Sequence, residues 1–276
     1  MFRKYGIAGM LMIVFAQINF FLKIQPFANW YFPIIWFGYI FLIDSIVYKL
    51  KGHSLIYNHP KTFLLMLPVS SVIWWLFEGL GFIIGNWYYS GLGNFSSIFE
   101  LMLFGFASFS TVIPAVFETN DLVRSIHLFD HAHLKRKHKI SKNFLRTLTG
   151  LGIAFLLLTV IWPRYFYPLV WVAFFLILDP FNYLHKTPSI ISHLKDRKLK
   201  IPLSLFIGGM ICGFLWEFWN SLAILQWHYF LPFVNFFRIF EMPLLGYIGY
   251  GPFALELYAM YNFLGSITKK YKFKYK

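Results

Sequence analysis

Six glutamates stand in apolar, aromatic stretches of this chain: Glu78, Glu100, Glu118, Glu217, Glu241 and Glu256. Trp74-Trp75-Leu76-Phe77-Glu78 and Phe214-Leu215-Trp216-Glu217-Phe218-Trp219 show the setting. A carboxylate at the centre of a membrane helix costs about 2.5–3.5 kcal/mol or more, so acids placed there usually have a use. A carboxyl group held out of water can act as a general acid. The faces of Trp, Tyr and Phe can stabilise a cation. Together they suit proton-initiated chemistry on an apolar double bond: protonation, guidance of the cation, then loss of a proton or addition of water. Glu217 and Glu241 are the candidate acid–base pair, with Glu78 and Glu100 as a second site or a degenerate copy of it. Trp216, Trp227, Tyr229, Trp87 and Tyr88 are the candidate walls of the cation's path.

The spacing of these residues repeats. Pro33/Pro168, Trp36/Trp171, Asp44/Asp179 and Tyr48/Tyr183 are each 135 positions apart. Glu78/Glu217 are 139 apart, Trp87/Trp227 140, Glu100/Glu241 141, and Pro114/Pro252 and Glu118/Glu256 138. Of 11 acids, eight fall into these pairs, and only Asp121, Asp130 and Asp196 lie in intervening loops. A purely structural role, with the acids tying helices together through Trp and Tyr donors, is the competing reading and is strongest for Asp44 and Asp179.

The elements that must position these acids are membrane helices. The chain is 58% hydrophobic, 22% aromatic and only 13% charged, whereas soluble domains carry about 25% charged residues. Apolar stretches of spanning length fall at 5–24, 31–48, 62–87, 97–118, 145–163, 166–184, 203–226 and 237–265. The expected fold is therefore an all-α integral membrane protein of eight transmembrane helices. It divides into two parallel tandem repeats of four, 1–120 and 145–268, joined by a basic linker at 121–144 and followed by a basic tail at 269–276. An even number of spans per copy makes the copies parallel, with a pseudo-twofold axis along the membrane normal and a site between them.

Charge sets the expected orientation. With eight spans, 22 of the 25 Lys and Arg fall on one side; only Lys23, Arg164 and Arg238 fall on the other. The positive-inside rule puts both termini in the cytoplasm, in a prokaryotic inner membrane. The net charge of +14 then faces anionic lipid headgroups, and nucleic-acid binding is not expected. The opposite loops, such as Trp87-Tyr88-Tyr89 and Trp227-His228-Tyr229, read first as an aromatic belt at the membrane surface.

Depth and facing follow from helix geometry. Glu78 precedes Trp87 by nine residues and Glu217 precedes Trp227 by ten. That is about 14–15 Å of rise, which places both at mid-membrane in a core of about 30 Å. Glu100 and Glu118 are five turns apart on one face, and Glu241 and Glu256 are nearly so, which makes each fourth span a carboxylate-bearing wall. Asn220 and Gln226 are expected to line the cavity as polar groups.

Other chemistry has little footing. One cysteine, Cys212, excludes a disulfide framework and a cysteine-ligated cluster. There is no phosphate loop, dinucleotide fingerprint, HExxH pair or nucleophile elbow, and no cofactor is expected. His127 and His131 have the i, i+4 spacing of a metal clamp, with His133 nearby. Lys135, Arg136, Lys137 and His138 follow at once and would repel a cation, so a basic interfacial helix is the favoured reading and no metal site is assigned.

Each half resembles the lycopene cyclase domain of the membrane-embedded bacterial, archaeal and fungal type, and more distantly the membrane carotenoid hydratases. Trp216-Glu217, Trp227 with Tyr229, and Glu241-Met242-Pro243 carry the cyclase likeness; Glu78-Gly79 through Trp87-Tyr88-Tyr89 carries the hydratase likeness. The cyclases place two adjacent acids after the proline, whereas here a single Glu precedes it. The resemblance implies an isomerase or lyase acting on a carotenoid or another polyisoprenoid. Proton-coupled transport and lipid binding are the rival expectations, because mid-membrane acids and kinking prolines serve carriers too.

Overall fold

The computed structural model describes residues 2–137 and 139–267. His138 and the expected basic tail at 269–276 lie outside the described residues. The chain folds as α1 (Lys4–Leu22), α2 (Tyr31–Lys51), α3 (Leu55–Asn58), α4 (Pro60–Ile84), β1 (Trp87–Ser90), α5 (Ile98–Ser110), α6 (Val112–Ser125), α7 (Lys142–Ile161), α8 (Pro163–Phe166), α9 (Val170–Leu184), α10 (Ile190–Lys195), α11 (Lys200–Asn220), β2 (Gln226–Tyr229), β3 (Arg238–Ile239), β4 (Met242–Pro243) and α12 (Tyr250–Ile267). Among the described residues, seven helices are long and apolar enough to cross a membrane, α5–α6 and α8–α9 each counting as one. It is a membrane protein, and mostly helical.

The spans are set out by local signals. Pro60 opens α4 at a position where its missing N–H costs nothing. Gly52 and Gly85, at φ 78° and 69°, stop α2 and α4 in the left-handed conformation that glycine adopts without strain. Asp44 and Asp179 do one job in their two halves. Asp44 accepts the Ile56 N–H at 2.7 Å and the Ser54 hydroxyl at 2.8 Å; Asp179 accepts the Ile190 and Ile191 N–H groups at 2.8 Å each. Each thereby holds the start of a short helix, α3 or α10, under the end of the span before it.

Close helix contacts rest on small residues, as membrane packing favours. A Cβ on Gly9 would come within 2.5 Å of the Gly38 carbonyl, joining α1 to α2; one on Gly152 would come within 2.7 Å of the Ala173 carbonyl, joining α7 to α9. α2, α6, α11 and α12 form the buried centre around Trp36, Phe117, Leu205 and Tyr258. α1 and α7 lie at the edge and expose Leu11, Phe21, Ile153 and Leu157.

Three expectations change. The stretch at 237–265 is not one helix: Arg238 to Pro243 make the β3–β4 hairpin, a 3-10 turn follows at Leu244–Gly249, and α12 starts only at Tyr250. With Glu256, Asn262 and three tyrosines, α12 is too polar to join the seven on composition alone. Likewise α11 stops at Asn220 rather than 226. Finally, residues 126–132 form turns instead of a basic helix. Asp130 there pairs with Lys200 and with His127, and their hydrogen bonds, Lys200's first, hold its carboxyl at a pKa of about 2.

Candidate functional site

Two short strands close the end of the bundle. β1 follows the Gly85 stop of α4, and β2 follows α11 after a loop that Asn220 pins. The Asn220 amide donates to the Trp227 carbonyl at 2.8 Å and accepts the Trp227 N–H at 2.9 Å. The strands pair antiparallel with Trp87 opposite Tyr229, Tyr88 opposite His228 and Tyr89 opposite Trp227. Side chains alternate across a strand, so Trp87, Tyr89, Trp227 and Tyr229 point inward, while Tyr88, Ser90 and His228 share the other face.

The inward residues reach back to two carboxyl groups. Glu78, six residues before the end of α4, accepts the Trp74 indole N–H at 2.8 Å and the Tyr89 hydroxyl at 2.5 Å on Oε1, and the Trp87 indole at 3.4 Å on Oε2. Glu217, three residues before the end of α11, accepts Tyr229 at 3.1 Å, Trp227 at 3.4 Å and the Tyr250 hydroxyl, all on Oε1. Its Oε2 is buried without a partner among the described residues. Burial raises the pKa of Tyr89 and Tyr229, which keeps both hydroxyls protonated and donating.

This geometry removes the ruler behind the mid-membrane placement. The depth estimate assumed helix up to each tryptophan, but the chain leaves the helix first and folds back. Trp87 and Trp227 turn their indoles onto the acids.

Between the strands and the helix ends lies a cavity of about 630 Å³. Trp74, Trp75, Phe104 and Phe109 line it from the first half; Trp171, Trp216, Tyr250 and Phe253 line it from the second; all four inward strand residues contribute. Phe77 stacks on Trp171 at 5.5 Å, and Trp171 meets Phe253 edge-on at 5.4 Å. Glu78 is the one carboxylate among the described residues on the wall. Glu217 lies behind Tyr229 and Tyr250. Leu245 and Ile248, both half exposed, form part of the rim.

No family model, curated protein or solved structure matches the chain. The site is therefore read from its own geometry.

Several expected site residues lie elsewhere. Glu100 accepts the Ser96 N–H at 2.9 Å while its own N–H is capped by Ser97, a helix-start arrangement outside the cavity. Glu241 sits in the β3–β4 turn, 3.1 Å from His228 Nδ1 and 3.4 Å from Arg238, and is not a hydrogen-bond partner of Glu217. Glu118 is fully buried in α6 and has no hydrogen-bond partner on either oxygen among the described residues. Glu256 accepts the Phe174 N–H of α9 at 2.7 Å. Neither wall of paired acids forms, because α5 and α6 break at Thr111 and because Glu241 precedes its helix by nine residues. Tyr88 is turned out and tilts over the His228 ring, and Asn220 is a buried strand anchor rather than a lining group. Gln226 bonds the Ser221 carbonyl at 3.1 Å. Among the described residues no three candidate metal ligands gather, at His127, His131 and His133 or elsewhere.

Trp74, Tyr89 and Tyr250 escaped the sequence reading. Trp87-Tyr88-Tyr89 is aromatic throughout, so no alternation in the sequence singles out Tyr89 as inward. Tyr250 fills space that Gly213 leaves, since a Cβ there would lie 2.1 Å from its ring. Nothing local announces that contact.

Proposed function

We propose that this is a membrane-embedded acid–base enzyme acting on a carotenoid or another polyisoprenoid, with Glu78 as its proton-transferring group. The carrying observation is the cavity: one carboxyl on a mainly apolar, aromatic-rich wall whose other polar side chains include Asn86 and Ser108. Its volume lies within the roughly 300–1,000 Å³ of small-molecule sites, enough for one end of a long polyene with the remainder in the lipid. The apolar rim at Leu245 and Ile248 supplies a lateral way in. Two donors occupy Oε1 of Glu78, so a proton for transfer sits on Oε2, which only the 3.4 Å contact with Trp87 engages. The faces of Trp74, Trp171 and Trp216 would shield the cation. Glu217, sealed by two tyrosines, would order the opposite wall.

The same proposal includes two four-helix copies, with α12 as an eighth span, related by a pseudo-twofold axis between β1 and β2. The strand register supports it, since Trp87 faces Tyr229 and Tyr89 faces Trp227 about the Tyr88–His228 pair. So do the matched roles of Asp44 and Asp179. Both termini would be cytoplasmic, in a prokaryotic inner membrane with the basic loops against anionic headgroups, and no nucleic acid, metal or cofactor takes part. A proton-coupled transporter or lipid-binding protein is the second reading. It is favoured by Glu118, a fully buried acid in α6 whose charged neighbours include Asp44 and Lys51 of α2.

Expression in cells making linear carotenoids, with pigment analysis, tests the class. A new cyclised or hydrated pigment that disappears in Glu78→Gln supports the enzyme. An unchanged pigment profile with the parent protein present and inserted overturns it.

A further inference from the structure

The outer face of the strand pair carries a second set of reactive groups, unrelated to the cavity. Ser90 Oγ lies 2.8 Å from His228 Nε2, and His228 Nδ1 lies 3.1 Å from Glu241 Oε2. That is the order nucleophile, base, orienting carboxylate. The three come from separate segments: the end of β1, the middle of β2 and the turn of the β3–β4 hairpin. The hairpin is pinned from outside itself, by the Tyr247 hydroxyl on the Ile239 carbonyl at 2.9 Å and by Arg238 on the Tyr229 carbonyl at 2.9 Å. These contacts hold the hairpin, and with it Glu241, beside the imidazole.

We propose that Ser90, His228 and Glu241 form a catalytic triad for acyl transfer from a lipid ester at the membrane boundary. His228 would carry its proton on Nδ1, towards Glu241, and receive the Ser90 proton on Nε2. Ser90 Oγ attacks the ester carbonyl carbon as that proton moves. The tetrahedral adduct collapses, the C–O bond to the alcohol breaks, and the alcohol leaves with the proton from His228. Water, deprotonated by His228, then attacks the acyl-serine, releasing the fatty acid and restoring Ser90. No oxidant, metal or cofactor is consumed.

Local structure supports each step. Gly91, at φ 84°, turns the chain sharply after Ser90 and leaves the serine at the tip of its strand. The Gly91 N–H has no partner among the described residues and is the donor adjacent to the nucleophile for a developing oxyanion. The ester is inferred to be lipidic because exposed Phe230 follows His228 by two residues and exposed Phe236 and Phe237 precede Glu241 by five and four. Aromatic side chains there can seat an acyl chain while its carbonyl stays at headgroup level. The first half has Tyr88 where the second has His228, and the second has Phe230 where the first has Ser90. The set therefore arises once, from the pairing of unlike residues.

The test uses the full chain in lipid nanodiscs, with an alkyl fluorophosphonate as covalent probe and p-nitrophenyl octanoate as substrate. Mass spectrometry should place one phosphonyl adduct on Ser90. Ser90→Ala should lose both adduct and hydrolysis, and His228→Asn should slow both by about 100-fold or more. Glu241→Gln should slow both less, with thermal midpoints held near the parent's in all three. Absence of the adduct from Ser90 in the parent overturns the triad. So does Ser90 labelling that His228→Asn leaves unchanged, because a merely reactive surface serine would not depend on the imidazole. If His228→Asn unfolds the chain, His228→Gln and the Ser90→Ala comparison decide by the same readouts.

Discussion

Glu78 and Glu217 sit at corresponding places, each near the end of a span and each under a returning Trp-x-Tyr strand, yet one opens on a cavity and the other does not. The difference comes from a few residues. On the first side Trp74, one turn before Glu78, donates to it and leaves Oε2 near the cavity. On the second side Gly213 stands one turn before Glu217, and the vacated volume is taken by Tyr250 from α12, which bonds the carboxyl and closes it off. A glycine and a tyrosine thus turn one pattern into two devices: an exposed acid, and a buried clasp between α11, β2 and α12. The buried Oε2 of Glu217 without a partner is costly as an anion, which fits a group kept from solvent rather than one that exchanges protons each turnover.

The comparison can be broken by mutation. The largest effect is expected from Glu78→Gln, which keeps shape and hydrogen bonding but cannot donate a carboxyl proton. Pigment conversion should fall about 10²–10⁴-fold, the usual contribution of a positioned acid, while Glu217→Gln should fall far less. Equal losses would remove the asymmetry. Next is Gly213→Ala. Its Cβ would meet the Tyr250 ring at 2.1 Å, and overpacking of this kind costs about 1–3 kcal/mol. A lowered thermal midpoint and a Glu217 made accessible to carbodiimide are the expected readings; an unchanged midpoint would show that Tyr250 does not seal the site.

A finer contrast comes from removing one donor on each side. Trp74→Phe should lower conversion by about tenfold, the value of one hydrogen bond to a charged or transferring group, with little change in stability. Tyr250→Phe should do the reverse, costing about 1–2 kcal/mol and leaving conversion nearly intact. The smallest effect is expected at Glu100→Gln, since Glu100 closes the start of α5 and meets the Trp30 indole, away from the cavity. A large loss of conversion there would return Glu100 to the site.

What the sequence disclosed, and what it hid, follows the physics of range. Apolar length marked the spans, and recurring acids marked Glu78 and Glu217 with their tryptophans and Tyr229. The depth estimate lost its ruler because it treated the residues up to Trp87 and Trp227 as continuing helix. Gly85 at the end of α4 pointed to a chain that stops there. Pairing of β1 with β2 joins residues about 140 positions apart, and no local pattern specifies it. Glu241 looked like Glu100's counterpart in the fourth span, but the hairpin from Arg238 to Pro243 takes it to the surface. Tyr250 was hidden because its role depends on the absence of a side chain at Gly213.

The central claim is that substrate meets Glu78 and not Glu217, and the most direct measurement is a cryo-electron microscopy map with a linear carotenoid bound to the Glu78→Gln protein in nanodiscs. The account expects one end of the polyene between Trp74, Trp171 and Trp216, within contact of the residue 78 side chain, with Tyr250 still on Glu217. A polyene end lodged against Glu217 with Tyr250 swung aside, or density confined to the lipid-facing surface with the cavity unfilled, would contradict it.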